Sequence, residues 1–126
     1  MPAHILIIED SEMSFALADY LLRQAGYRCS RADNGDTALR LALENSADLI
    51  LCDLDLPGMD GYEVVKILRS DPAWRAVPLL AFTADSRVAA SELRQAGFSG
   101  AIAKPVDPRT FTTELANYLP AELRAN

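Results

Sequence analysis

Hydrophobic residues are concentrated in five short runs that alternate with five longer stretches of mixed polarity. Most of the runs are bounded by glycine, proline, aspartate or asparagine, as β-strands usually are. The third run is apolar at every position from Leu49 to Cys52, which is typical of a strand covered on both faces. We therefore predict strands at His4–Glu9, Tyr27–Ala32, Asp48–Asp53, Val77–Thr83 and Gly100–Ala103.

The stretches between the runs repeat their apolar residues at helical spacing. In the first stretch, Ser11 is a candidate N-cap and Gly26 is a candidate C-terminal stop. The apolar positions that mark the five predicted helices are Met13, Leu17, Tyr20, Leu21 and Ala25; Ala38, Leu41 and Ala42 after Asn34-Gly35; Val64, Ile67 and Leu68 after Gly61; Val88, Ala89, Leu93 and Ala96 before Gly97; and Phe111, Leu115, Tyr118 and Leu119 before Pro120.

Strict alternation of strands and helices with short connections predicts an α/β fold, with a parallel sheet covered by helices on both faces. For five strands the common doubly wound order is 2-1-3-4-5, and we predict that order here. The 126 residues fit a single domain, with a core from about residue 4 to 119 and a short C-terminal tail.

Composition and charge narrow the classes of function. A net charge of −6, with no run of Lys or Arg, disfavours binding to nucleic acid or to an anionic membrane. The run Ile5–Ile8 is too short to span a bilayer and follows no basic segment, so we expect a cytoplasmic protein. The two cysteines, Cys29 and Cys52, lack metal-site spacing and are predicted to be buried free thiols.

Polar side chains that can do chemistry stand at the ends of four predicted strands. The first strand ends in Glu9 and Asp10, the third in Asp53 and the fourth in Thr83, and Lys104 follows the fifth. In the predicted order these ends meet at one edge of the sheet, where ligands bind in such folds. Crowded carboxylates need a compensating cation, and oxygen ligands without His or Cys favour Mg²⁺. Thr83 and Lys104 could then hold phosphoryl oxygens.

Each of these residues also has an ordinary structural explanation. Asp53 with Pro57-Gly58 is compatible with a turn after a strand, and Glu9–Ser11 with the start of a helix. Thr83 suits a strand on propensity alone. These explanations are independent of one another, so the joint placement at four strand ends favours one shared site.

Four segments resemble the signatures of response-regulator receiver domains. They are Ile7–Asp10, Asp53–Gly61, Phe82–Ala84 and Ala103–Pro105. The resemblance extends from about His4 to Leu119 with family-like spacing. It implies a flavodoxin-like (βα)₅ fold in which an aspartate at the end of the third strand is phosphorylated.

The same resemblance assigns roles to individual residues. Asp53 is implied to be the phosphoacceptor, and Asp10, Asp53 and the backbone carbonyl of Asp55 are implied to bind Mg²⁺ directly. Glu9 is implied to act on the metal through a water molecule.

Thr83 and Lys104 are implied to contact the phosphoryl group, and the Lys104–Pro105 peptide is expected to be cis. The single histidine, His4, is predicted at the opposite end of its strand, so the donor must be a histidine kinase or phosphotransfer protein acting in trans. No output domain follows Leu119, which is expected of a single-domain regulator that signals to another, unidentified protein.

Three other classes of function are less well supported. The segment Leu49–Asp55 also resembles the DxD motif of haloacid-dehalogenase-like phosphatases, but Pro57 stands where that family has Thr or Val, and the downstream acidic motif is absent. An interaction module that is never phosphorylated would not need all five active-site side chains. A flavin or dinucleotide binder would need a glycine-rich loop after the first strand.

One position departs from the receiver pattern. Similar receivers carry Tyr or Phe three residues before the motif lysine, where this chain has Ala101. A methyl group has no rotamer to switch, so this side chain cannot be the two-state element that coupling requires. We hypothesise that the backbone of residues 84–86, leading into the fourth helix, carries the signal instead. The nearby aromatic residues are Phe82 and Phe98.

Overall fold

The computed structural model describes residues 2–85 and 87–125 and contains one five-stranded parallel sheet with helices on both faces. The strands are β1 His4–Ile8, β2 Arg28–Ala32, β3 Leu49–Asp53, β4 Leu79–Thr83 and β5 Gly100–Ala103. The helices are α1 Glu12–Gln24, α2 Gly35–Glu44, α3 Gly61–Ser70, α4 Ala90–Ala96 and α5 Phe111–Ala116. Short 3₁₀ turns lie at Pro72–Trp74 and Ala121–Leu123.

The strand order is β2-β1-β3-β4-β5, and every neighbouring pair is parallel, which confirms the predicted doubly wound topology. The central strand β3 is buried at every residue, in agreement with its apolar sequence. Because all five strands run the same way, their carboxyl ends form one edge of the sheet. The end of β3 lies there between the ends of β1 and β4, where Ile8 pairs with Cys52 and Asp53 pairs with Phe82.

Polar side chains cap the first three helices, and the cap at Ser11 confirms the sequence prediction. The Ser11 hydroxyl accepts a hydrogen bond from the Ser14 amide, and Asn34 caps α2 in the same way. Asp60 caps α3 by accepting from the Glu63 amide. Each cap satisfies an amide that the first helical turn leaves without a partner, and thereby fixes where the helix leaves the sheet.

Two helices are shorter than predicted. Helix α4 begins at Ala90 rather than near Val88, because the Asp85 side chain accepts from the Arg87 amide and holds a turn that competes with the helix. Helix α5 ends at Ala116, and the chain continues through tighter turns in which the Tyr118 and Leu119 amides bond to carbonyls three residues back. Such turns preserve apolar spacing, so the sequence pattern could not distinguish them from a longer helix.

The sheet separates two hydrophobic cores. One lies under α1 and α5 and contains Phe82, Phe111 and Leu115, and the other lies under α2, α3 and α4 and contains Val64, Leu68 and Phe98. Trp74 is buried in the second core.

The two cysteines differ in burial. Cys52 is buried, as predicted, but Cys29 is only half-buried, because β2 is an edge strand that α1 covers incompletely. Burial nevertheless raises the pKa of the Cys29 thiol to about 12, which leaves it uncharged near neutral pH.

The amino edge of the sheet binds both ends of the described chain. The Ala3 amide donates to the Leu123 carbonyl at 3.0 Å, and the Ala125 amide donates to the Tyr27 hydroxyl at 3.0 Å. His4 lies at this edge too, with its Nε2 atom 2.6 Å from the Ser30 hydroxyl. Both terminal segments therefore lie at the edge opposite Asp53.

Among residues 2–85 and 87–125, no helix is long and apolar enough to cross a membrane.

Candidate functional site

Three carboxylates meet at the carboxyl edge of the sheet. Glu9, Asp10 and Asp53 each offer one oxygen, and these oxygens all lie within 4.8 Å of one another. The proximity follows from topology, because Glu9 and Asp10 follow β1 while Asp53 ends the adjacent strand β3. Glu9 and Asp53 are buried, whereas Asp10 is exposed.

Lys104 joins this cluster from the end of β5. Its ammonium donates to Oε1 of Glu9 at 2.6 Å and lies 3.4 Å from Oδ2 of Asp53. The Lys104 amide donates to the Thr83 carbonyl, which extends the β4–β5 pairing by one residue and aims the side chain across the strand ends. The Lys104–Pro105 peptide is cis, in agreement with the sequence prediction. One ammonium is therefore shared between two buried carboxylates.

Burial and shared charge shift the pKa values of these groups in different directions. Burial, together with the charge of Glu9, raises the pKa of Asp53 to about 6, although the Asp55 amide opposes the rise. Burial alone would raise the pKa of Glu9, but the hydrogen bonds from Lys104 and from the Ser11 amide, together with the charge of Lys104, outweigh it and hold that pKa below its usual value. Burial opposes ionisation of Lys104 as well, yet Glu9 and Asp53 together raise its pKa. The single ammonium of Lys104 therefore does not fully balance the charges of the Glu9 and Asp53 carboxylates.

The cluster opens into a cavity of about 530 Å³ above the strand ends. The residues that line it are Asp53, Asp55, Thr83, Ala84, Asp85, Arg87 and Lys104. Thr83 is half-buried, and its hydroxyl accepts a hydrogen bond from the Asp85 amide at 3.0 Å. The cavity is therefore lined by a hydroxyl and an ammonium as well as by the buried Asp53 carboxylate.

The segment after β3 fixes the orientation of Asp53. The Asp55 amide donates to Oδ1 of Asp53 at 3.1 Å, and the Gly61 amide donates to the Leu54 carbonyl at 3.0 Å. A Cβ at Gly61 would overlap the carbonyl oxygen of Asp53, so only glycine lets α3 begin this close to the strand end. The residues of the motif Asp53–Gly61 thus hold the carboxylate as well as supplying it.

Two arginines at the site were missed by the sequence reasoning. Arg87 lines the cavity and forms a two-point ion pair with Asp85, with distances of 3.0 and 3.2 Å. Arg31, at the end of β2, donates to the carbonyls of Glu9 and Asp10. A usable signal was available in both cases, because each arginine lies at or just beyond a strand end that the predicted order brings to this edge.

Ala101 is exposed on β5, in keeping with the missing aromatic residue. Phe82 and Phe98 do not replace that residue together, since they lie in different cores on opposite faces of the sheet. Phe98 packs edge-to-face against Tyr62 at 5.9 Å between ring centroids. Of the proposed signalling segment 84–86, Ser86 lies outside the described residues.

Comparison with known proteins identifies the family. The model of the response regulator receiver domain matches residues 5–116, which is most of the chain. The chain therefore belongs to the response-regulator receiver family of two-component signalling. This membership decides against the haloacid-dehalogenase-like interpretation of the segment around Asp53.

Individual relatives agree with this assignment. The polar-differentiation response regulator DivK of Brucella anthropi is 38% identical over 120 residues, which cover 94% of this chain and 98% of that protein. A putative response regulator from Chloroflexus aurantiacus has a TM-score of 0.88 at 33% identity, covering 94% of this chain and 98% of its own.

A third relative has the metal in place. The receiver domain of the sensor histidine kinase PA1611 from Pseudomonas aeruginosa has a magnesium ion coordinated in its active site cleft. It superimposes with a TM-score of 0.84 at 31% identity, over 94% of this chain and 98% of that one.

Proposed function

We propose that this receiver accepts a phosphoryl group on the carboxylate of Asp53 and signals through the resulting change in its surface. The observation that carries the proposal is the shared ammonium. Lys104 lies within 3.4 Å of Asp53 while it also bonds to Glu9, at the mouth of a cavity that Thr83 lines. Phosphoryl transfer depends mainly on positioning and on neutralising negative charge, and these groups supply both.

Mg²⁺ fits the donor set of the site. The cluster contains only oxygen ligands, and one ammonium leaves its carboxylates undercompensated. Asp10, Asp53 and the backbone carbonyl of Asp55 would hold the ion directly, with Glu9 acting through water. When bound, the ion would neutralise charge on the phosphoryl oxygens.

The phosphodonor we propose is a phosphohistidine on a histidine kinase or phosphotransfer protein. A carboxylate oxygen of Asp53 attacks the phosphorus, the P–N bond breaks, and the electron pair and a solvent proton go to the departing imidazole nitrogen. The product is an acyl phosphate, whose P–O bond water later cleaves to release orthophosphate. His4 cannot serve as the donor, because it is hydrogen-bonded at the amino edge of the sheet.

The signal is proposed to pass to a target protein that distinguishes the two forms of the surface. Thr83 moves toward the phosphoryl oxygens that Lys104 holds, and this displacement is transmitted to the segment before α4.

Labelling with acetyl phosphate tests the proposal. Wild-type protein with Mg²⁺ should gain the mass of one phosphoryl group, and hydroxylamine should remove it because acyl phosphates are labile to that reagent. Asp53→Asn should abolish the labelling. Asp55→Asn is a matched control, since it removes a neighbouring carboxylate but keeps the backbone carbonyl that we assign to the metal.

Full labelling of Asp53→Asn, on whatever residue, would remove the proposed phosphoacceptor. A phosphomonoester substrate such as p-nitrophenyl phosphate should be turned over no faster by wild-type protein than by Asp53→Asn. Rapid multiple turnover that depends on Asp53 would instead indicate a phosphatase.

A further inference from the structure

The acidic pair after β1 is held by an arginine from the neighbouring strand. Arg31 donates from Nε to the carbonyl of Glu9 and from Nη2 to the carbonyl of Asp10, at 3.3 Å in each case. The planar guanidinium can bond to both carbonyls at once, which a lysine ammonium on a flexible stem does poorly. The main chain that carries two of the three clustered carboxylates is therefore connected to the end of β2.

The aromatic ring of Phe15, on α1, packs against the guanidinium of Arg31. The Arg31 Cζ atom lies 4.9 Å from the centroid of the Phe15 ring, a distance at which cation–π attraction is effective. Arg31 forms no ion pair among the residues that the structure describes. Carbonyl oxygens and a ring face, rather than a carboxylate, thus fix its position.

Asp10 depends on this contact more than Glu9 does. Glu9 has two further hydrogen bonds. Its backbone amide donates to the Ala32 carbonyl, and its Oε2 atom accepts from the Ser11 amide at 3.0 Å. Within residues 2–85 and 87–125, no hydrogen bond to Asp10 is found other than the one from Arg31. Asp10 is also the exposed member of the cluster, so packing does not restrict it.

We propose that Arg31 is a positioning residue, which holds Asp10 and Glu9 toward Asp53 and thereby sets the affinity of the site for Mg²⁺. The inference rests on the proposed function, because it assumes that these carboxylates bind the metal. It goes further by assigning the strength of metal binding to a residue outside the receiver signature motifs.

Positioning and simple charge predict opposite effects when Arg31 is replaced. The guanidinium is a cation beside a cation site, so its charge alone weakens Mg²⁺ binding, and Arg31→Ala would then tighten it. If Arg31 instead orients the ligands, Arg31→Ala weakens binding. Arg31→Lys should weaken it as well, because lysine keeps the charge but loses the fork and the stacking on Phe15.

Calorimetric titration of Mg²⁺ into the unphosphorylated protein distinguishes these cases. We expect Arg31→Ala and Arg31→Lys each to raise the Kd for Mg²⁺ about tenfold, as is common when a group that orients a metal ligand is lost. Phe15→Ala keeps the arginine and its bonds to both carbonyls, and should raise the Kd by only about threefold, because a single partly exposed cation–π contact is lost. Arg28→Ala removes the same charge from an exposed position on β2 and should leave the Kd unchanged.

The deficit of the Arg31 variants in labelling by acetyl phosphate should be largest at low Mg²⁺ and should shrink as Mg²⁺ is raised, since the proposed effect is on metal affinity. Tighter binding in Arg31→Ala, or wild-type binding in Arg31→Lys, would overturn the inference. Wild-type protein that neither binds Mg²⁺ nor labels on Asp53 would instead refute the proposed function. Melting curves without metal verify that each variant is folded.

Discussion

Replacing Asp53 by asparagine should stabilise the metal-free protein, although it removes the proposed phosphoacceptor. The Asp53 side chain is 9% exposed, and the Lys104 ammonium that neutralises it also pairs with Glu9. Burial raises the pKa of Asp53 from 3.8 to about 6, so above that pH the folded protein holds a charge that it accommodates poorly. Asparagine has nearly the same shape and resembles the neutral acid.

The magnitude and the pH window follow from the pKa. A pKa raised in the folded state contributes stability that is fully present below pH 3.8 and is lost as the pH rises through about 6. The ionised form is therefore less stable than the neutral one by about 3 kcal/mol, an upper limit because the site can relax. Lowering the pH from about 8 to about 5 should restore about half of this stability to the wild-type protein and none to Asp53→Asn.

Urea unfolding in the presence of EDTA, at about pH 8 and about pH 5, measures both quantities. The stability gap between Asp53→Asn and wild type should be about 3 kcal/mol at the higher pH and about half of that at the lower. Titrating groups that do not interact with Asp53 cancel, because both proteins contain them. Asp55→Asn, which removes an exposed charge nearby, should change stability by less than about 0.5 kcal/mol. A gap that is absent, or that widens toward low pH, would refute this account of the buried charge.

Three further predictions concern the metal, the scaffold and the signal. Mg²⁺ at ten times its Kd should add about 1.4 kcal/mol of stability, measured as a rise in Tm at matched ionic strength; an equal rise in Asp10→Ala would contradict the proposed site. Arg69 donates hydrogen bonds to the carbonyls of Gly97 at 2.8 Å and Trp74 at 2.6 Å. Arg69→Met should therefore lower the free energy of unfolding, measured with urea, by about 3 kcal/mol. A loss below about 1 kcal/mol would show that these bonds are dispensable. Beryllofluoride, a phosphoryl mimic, should shift backbone amide resonances most in residues 84–90 outside the active site; larger shifts in β5 and α5 would contradict the proposed route.

Topology was the most predictable part of the structure. Alternating apolar runs were enough to give the strand order, and β5 was placed with its observed bounds. The same order explains why Glu9, Asp53 and Lys104 could be grouped from the sequence, since all three stand where a strand ends. Their spacing in the chain carries no such information without the fold.

The remaining features depend on where long side chains reach. The predicted strand order could place Arg31 at this edge of the sheet, but no sequence pattern shows that its guanidinium bonds to the carbonyls of Glu9 and Asp10. Arg87 was missed for the same reason, because the sequence does not show that its guanidinium pairs with the Asp85 carboxylate beside the cavity. Cys29 was misjudged because its burial was inferred from the neighbouring apolar residues alone, although the predicted order places its strand at the edge of the sheet, where side chains are covered less completely.

The position of the terminal segments has a practical consequence for experiments on living cells. Leu123 bonds to Ala3, and Ala125 bonds to Tyr27, at the edge where the strands begin. A fluorescent protein joined at either end would therefore be separated from Asp53 by about the length of a five-residue strand, roughly 17 Å. Reporter fusions at both ends should leave the mouth of the cavity open to a kinase, so that localisation and phosphorylation can be followed in the same molecule.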